Sequence, residues 1–203
     1  MVTMRWVPLA LLLAFALASM GRMLLHRRAT GVNPYVLPDD DSPEGYIARA
    51  LRWTISGLVV ALLHEALDRG DRIGALPWAG ERTAYWSGIV LAVAALLWVT
   101  VAQAQMGHAW RIGIDRQHAT VLVRHGLFAI SRNPIFLGMR VALLGAVLLV
   151  PNALMLAVAV AAEVLIQVQT RLEEVHLLTL HGDNYNTYAR TVRRWLGCQI
   201  GSS

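Results

Sequence analysis

Hydrophobicity along the chain comes in long blocks. Residues 6–25 are apolar apart from Arg22, and residues 84–106 carry no charge at all. Residues 47–67 form another block, entered past Arg49 and Arg52 and left through His64 and Glu65. A helix of roughly 20 apolar residues spans a hydrocarbon core about 30 Å thick, so each block predicts a crossing. Two shorter blocks, 135–150 and 153–168, are separated only by Pro151-Asn152, a turn signal. They predict a tight helical hairpin whose arms are slightly short for a crossing. The expected fold class is an all-α integral membrane protein with about five transmembrane helices, the last two a hairpin, and a cytoplasmic C-terminal amphipathic helix. Residues 1–106 form an N-terminal three-helix membrane region. Residues 107–203 form a C-terminal region of loop, hairpin and tail within the same structural unit.

Composition supports this reading. The chain is 56% hydrophobic and only 15% charged, with a mean hydropathy of +0.49. Soluble domains carry about 25% charged residues, so a disordered chain is excluded and a soluble cytosolic enzyme is disfavoured. The net charge of +5 comes with 18 basic residues, every one of them Arg. They sit between apolar runs rather than in a tract, which points to anionic lipid and not to nucleic acid. Arg22, Arg27, Arg28, Arg49, Arg52, Arg111, Arg116, Arg124, Arg132, Arg171, Arg190, Arg193 and Arg194 fall on one side of the predicted topology. Only Arg5, Arg69, Arg72 and Arg82 fall on the other. That asymmetry predicts an N-terminus outside and a cytoplasmic tail, in a multi-pass protein of the bacterial inner-membrane type. Ala16-Leu17-Ala18 imitates a signal-peptide cleavage site, but the positive cluster follows the first block, as in an uncleaved helix. The lone Cys198 excludes an internal disulfide. His108, His118, His125, His176 and His181 lack ligand spacing, so no metal is expected.

Polar residues inside the blocks mark candidate chemistry. Arg140 lies eleven residues before Pro151 and Glu163 twelve after it, so an antiparallel hairpin brings them to one depth as an ion pair. At about 100° per residue, Glu163, Gln167, Thr170 and Glu174 share one helical stripe, which should face protein, water or ligand. Thr100 and Gln103 are its expected opposite wall. Residues 30–42, with Asp39-Asp40-Asp41, read as a solvated loop. In the tail, Tyr185, Tyr188, Val192 and Trp195 recur at helical spacing between Arg190, Arg193 and Arg194. They predict an amphipathic helix anchored on the cytoplasmic membrane surface.

Two stretches carry a further pattern. One reads Val121-Leu122-Val123-Arg124-His125-Gly126-Leu127-Phe128, then Ser131-Arg132-Asn133-Pro134-Ile135-Phe136-Leu137-Gly138. The other reads Glu173-Glu174-Val175-His176-Leu177, Gly182, Tyr185, Tyr188 and Arg193-Arg194-Trp195. In order, and separated by the hairpin, they resemble the isoprenylcysteine carboxyl methyltransferases, integral-membrane enzymes related to phospholipid N-methyltransferases. The resemblance spans about 107–196. Asn133 stands where that family usually has His, Phe136 where it has Tyr, and Gly197 where it has Pro.

The resemblance implies that S-adenosylmethionine binds between the third loop, the fourth helix and the start of the tail. Val121, Leu122 and Val123 would line it, Phe128 would pack on it, and Arg132 and Gly138 belong to the same implied set. Asn133, Pro134, Ile135 and Phe136 would form a wall, Glu173 would meet the cofactor's polar end, and Arg111 would contribute from the preceding loop. The partner is a lipophilic or prenylated acceptor, or a membrane lipid, with Arg140, Gln167 and Gln169 on the substrate side. Gln169 takes the place of an Arg that eukaryotic members carry, leaving Arg171 as the nearest cation. An ionised carboxylate acceptor needs no general base, whereas an amine does, making Glu163 and Glu174 candidate bases; with Arg171 they are the catalytic candidates. The alternatives are a nicotinamide-dependent membrane reductase of the sterol reductase type and a non-catalytic protein on the same scaffold.

Overall fold

The computed structural model describes residues 5–67, 73–113 and 121–197. Arg69, Arg72, Arg116, His118 and Cys198 lie outside them. The described elements are α1 (Val7–Thr30), α2 (Pro43–Ala66), α3 (Arg82–Met106), α4 (Pro134–Leu149), α5 (Ala153–His181) and α6 (Asp183–Thr191), with short 3-10 turns at Gly107–Ala109 and Gly126–Ala129. α1, α2, α3 with the turn that follows it, and α5 are long and apolar enough to cross a membrane. α4, at 16 residues, is shorter. The protein is a multi-pass, all-helical membrane protein, as the blocks predict.

Helix starts follow local chemistry. α2 begins on Ser42, whose hydroxyl accepts from the Gly45 N–H at 3.0 Å, with Pro43 in the first turn. α5 begins on the fully buried Asn152, whose side chain accepts from the Met155 N–H at 2.8 Å. Asn152→Ala removes that cap from a site water cannot reach. It should cost about 1–2 kcal/mol, read as a lower thermal midpoint in detergent.

α3 and α4 form the tightest pair. On α3 the buried positions Gly88, Ala92, Ala95, Val99 and Ala102 recur at three- and four-residue steps, making a narrow seam of small residues. α4 answers with Gly138 and Gly145. A Cβ on Gly88 would come within 2.9 Å of the Gly145 carbonyl oxygen, and one on Gly145 within 3.0 Å of the Gly88 carbonyl. Backbone oxygens cannot swing aside as a side-chain tip can. Gly88→Val should therefore push the helices apart and destabilise the protein by about 1–3 kcal/mol or more, measurable by thermal unfolding with Gly21→Val, an open position, as control.

The bundle has two distinct ends. At one, the hairpin turn docks on the α2–α3 connection, with Leu76 N–H donating to Pro151 O at 2.8 Å and Ala153 N–H to Gly74 O at 2.9 Å. The main core gathers there around Leu62, Val150 and Met155. At the other end the loop after α3 meets the tail. Arg132 N–H donates to Arg193 O at 3.0 Å, and Gly197 N–H to Ile130 O at 2.9 Å. The loop after α3 and the tail, whose arginines fall on one side of the predicted topology, thus meet at one end of the bundle.

Two expectations are corrected. The segment 30–42 is not simply solvated, because Val36 N–H donates to Ile112 O at 3.0 Å and Ile112 N–H to Pro34 O at 2.8 Å. Its first half is extended backbone that pairs with the loop after α3. The aspartates stay outside, as do Asn33 and Tyr35, with Asp39 and Asp41 bound to Arg52 and Arg49. The tail aromatics do not rest on lipid either. Tyr185, Tyr188 and Val192 are buried against Leu122, Leu177 and Ala189, because the apolar stripe of α6 covers the protein instead.

Candidate functional site

A cleft opens where the end of α3, its following loop and the last turns of α5 converge. Its enclosed volume is about 80 Å³, and it widens into open solvent at the mouth. Met106, Arg111, Leu122, Val123 and Phe128 form one wall. Glu173, His176 and Leu177 on α5 face them, with Tyr188 and Arg132 at the base. Val121 is at the rim, 82% exposed.

The loop wall is held by specific contacts. The Gln105 side chain accepts from Leu127 N–H at 2.8 Å, fastening the loop to the end of α3. Gly126 lies directly beneath that side chain at φ +61°, where a Cβ would collide with it. The Tyr188 hydroxyl donates to Phe128 O at 2.6 Å. Burial pushes that phenol up to about 12, so it remains a donor across the physiological range. Burial raises Tyr185 as well, and its hydroxyl has no partner among the described residues.

Adjacent glutamates on α5 have opposite fates. They point about 100° apart, so one faces the cleft and the other the seam between loop and tail. Glu173 lines the cleft and has no hydrogen bond or ion pair to a described residue. Glu174 is saturated. Arg194 reaches it through Nη2 at 2.7 Å and Nε at 3.1 Å, Arg132 Nη2 lies at 3.2 Å, and Asn133 Nδ2 donates at 3.0 Å. The Glu174 carboxylate in turn raises the Arg194 guanidinium above its ordinary range. A carboxylate so paired is a clamp between loop and tail, which argues against Glu174 as the general base an amine acceptor would need.

Other expected site residues are placed elsewhere. Asn133 is buried under the clamp, also touching Arg194 O at 3.4 Å. The carbonyl of Pro134 accepts from Trp98 Nε1 at 2.8 Å, and Gly138 packs on Val99 and Trp98. Ile135 and Phe136 are half-buried in the first turn of α4. None of these five is among the residues lining the cleft, so the expected wall at 133–136 stands beside it, behind Arg132. Pro134 starts a helix there, and the helical turn carries successive side chains away from the loop.

The predicted pair is present, with Arg140 Nε 2.8 Å from Glu163 Oε2. Gln167 Nε2 donates to Glu163 Oε1 at 2.8 Å, and Arg171 Nη1 to Gln167 Oε1 at 2.9 Å. Arg140, Glu163, Gln167 and Arg171 thus form one connected polar run outside the cleft lining, so Glu163 too is engaged. Trp195 lies over Arg140, 4.3 Å from guanidinium carbon to ring centroid. Gln169 is half-buried and takes no part in that run. Thr100 is exposed and bonds back to Leu96 O, so it does not face the stripe. Gln103 is buried. Sequence reasoning left Met106, Ala109, Gly113, His176, Leu177 and Tyr188 out of the site, although the last three stand in the motif stretches that carry the resemblance. Among the described residues no cluster could hold a metal ion.

A family model described as phospholipid methyltransferase matches residues 83–184. The match runs from the first turn of α3 to the start of α6, and so includes both walls of the cleft. No curated protein matches the chain.

Proposed function

The chain belongs to the phospholipid methyltransferase family, and on that premise we propose that the cleft holds S-adenosylmethionine beside a lipophilic acceptor reached from the bilayer. Membership makes the protein a membrane methyltransferase and favours methyl transfer over the nicotinamide-dependent reductase. The observation that carries the cofactor assignment is the cleft's division of charge. Glu173, without a described protein partner, stands on one wall and Arg111 on another, with Met106, Leu122, Val123 and Phe128 lining the space between and Arg132, His176 and Tyr188 adding polar groups. A zwitterionic amino-acid end and a cationic sulfonium are matched by that arrangement.

When bound, S-adenosylmethionine supplies an electrophilic methyl group, and the sulfur keeps the electron pair of the broken S–C bond as the acceptor's new bond forms. The protein's own part is placement. Glu173 holds positive charge, Phe128 and Leu122 exclude water, and the clamp at Glu174 fixes the loop against the tail. Proximity and desolvation are the main effects available. An ionised carboxylate acceptor needs nothing more. A lipid amine must first give up a proton; Glu163 and Glu174 are both paired, which leaves Glu173 and solvent at the mouth.

The Arg asymmetry supports a cytoplasmic cleft and an N-terminus outside. A soluble cofactor made in the cytosol requires the same side. The deciding experiment titrates the detergent-solubilised protein with S-adenosylmethionine and, in parallel, with reduced nicotinamide dinucleotide phosphate. Methyl-labelled cofactor is then followed into the lipid-extractable fraction of native membranes. Heat of binding with the first alone, and label in lipid, is the expected result. Binding of the nicotinamide cofactor alone would establish the reductase, and binding of neither a non-catalytic scaffold.

A further inference from the structure

α1 lies outside the matched segment, yet its C-terminal half is fastened to the cleft. Arg22 and His26, one turn apart on α1, both face the turn at Gly107–Ala109. Arg22 Nη2 donates to Gly107 O, and its guanidinium lies 5.8 Å from the Trp110 ring centroid. His26 is 2% exposed, packs edge-on against Trp110, and places Nε2 at 2.9 Å from Nη1 of Arg111. Arg111 is a cleft-lining residue. A guanidinium has only donors, so His26 Nε2 must accept, and the ring is neutral with its proton on Nδ1. Among the described residues neither that buried Nδ1 nor Nε of Arg22 has a partner within hydrogen-bond distance. An unpaired buried N–H is costly, and a leucine here would avoid it. The contact with Arg111 is what this histidine supplies that an apolar residue could not.

We propose that His26 is a positioning residue contributed by α1, which aims the Arg111 guanidinium at an anionic group of the bound cofactor, its carboxylate. This rests on the S-adenosylmethionine reading above. Arg111 Nη1 also bonds His108 O and Trp110 O at 2.9 and 2.8 Å, both on its own loop. Among the described contacts, the one with His26 ties it to another element, 85 residues away.

The test compares two ligands by calorimetry on the full-length protein in detergent. S-adenosylhomocysteine carries the carboxylate, and 5′-methylthioadenosine has the same nucleoside without the amino-acid end. His26→Ala and the better-packing His26→Leu should each weaken S-adenosylhomocysteine about ten-fold and methylthioadenosine less than about two-fold. His26→Gln, which keeps an acceptor near the Nε2 position, should recover to within about three-fold of the original. His26→Leu added to Arg111→Ala should weaken binding no further. Equal losses for both ligands, additive losses in the double variant, or no loss at all would each overturn the positioning role. If the unmodified protein binds neither nucleoside, the cofactor reading fails and this role fails with it; if it binds both, only the variants decide.

Discussion

Glu173→Ala is expected to lower S-adenosylmethionine affinity by about a hundred-fold or more, which corresponds to roughly 3 kcal/mol and to the loss of a contact with a charged group. The thermal midpoint should stay nearly constant. Both outcomes have one cause. Glu173 makes no hydrogen bond or ion pair to a described residue, so its removal breaks no described polar contact, while the cleft loses the carboxylate on its α5 wall. Glu173→Gln, which keeps hydrogen bonding and removes the charge, should fall between. Calorimetry and a melting curve on the same preparation provide the check. Unchanged affinity in Glu173→Ala would remove the residue from the site.

The neighbouring substitution should behave in the opposite way. Glu174→Ala leaves Arg132 and Arg194 facing each other across an interior seam with no carboxylate between them. Removing one partner of a buried ion pair costs about 3–5 kcal/mol. Arg194 is one-third exposed, and solvent screening moves the expectation toward the lower end. The result should be a fall of several degrees in the thermal midpoint. Early proteolytic cutting in the tail should accompany it, because Glu174 is the side chain on which Arg132, Asn133 and Arg194 converge. Cofactor affinity should drop only as far as the loop wall loosens. Wild-type stability in this variant would show that the clamp does not hold the tail.

The helical framework was legible because lipid burial is recorded in the sequence as long apolar blocks. The uncharged stretch 84–106 corresponds to α3 at Arg82–Met106, and Pro151-Asn152 is the hairpin turn. Arg140 and Glu163 were also readable, since two offsets from one turn fix their relative depth. The tail was misread for a physical reason. An aromatic stripe on α6 has the same spacing whether it faces lipid or the loop at Leu122, and only the tertiary contact distinguishes them. The two glutamates posed a similar problem. Family position pointed to Glu173 and helical periodicity to Glu174, and the structure divides them between cleft and clamp. His26 carried no readable signal at all. A single histidine in an apolar run has no local partner, and its contact with Arg111 exists only once α1 packs beside the end of α3.

The short helix α4 has a consequence for the surrounding lipid. Sixteen residues rise about 24 Å, some 6 Å less than a hydrocarbon core of about 30 Å. Its first turn is tied to Trp98, two turns before α3 ends at Met106 on the cleft wall. A bilayer meets such a shortfall by local thinning, among other ways, and thinning would lower the headgroup layer beside the cleft. A lipid acceptor can then present its polar head to the pocket while its tails remain in the membrane, and turnover should fall in bilayers of longer-chain lipids that resist the dip.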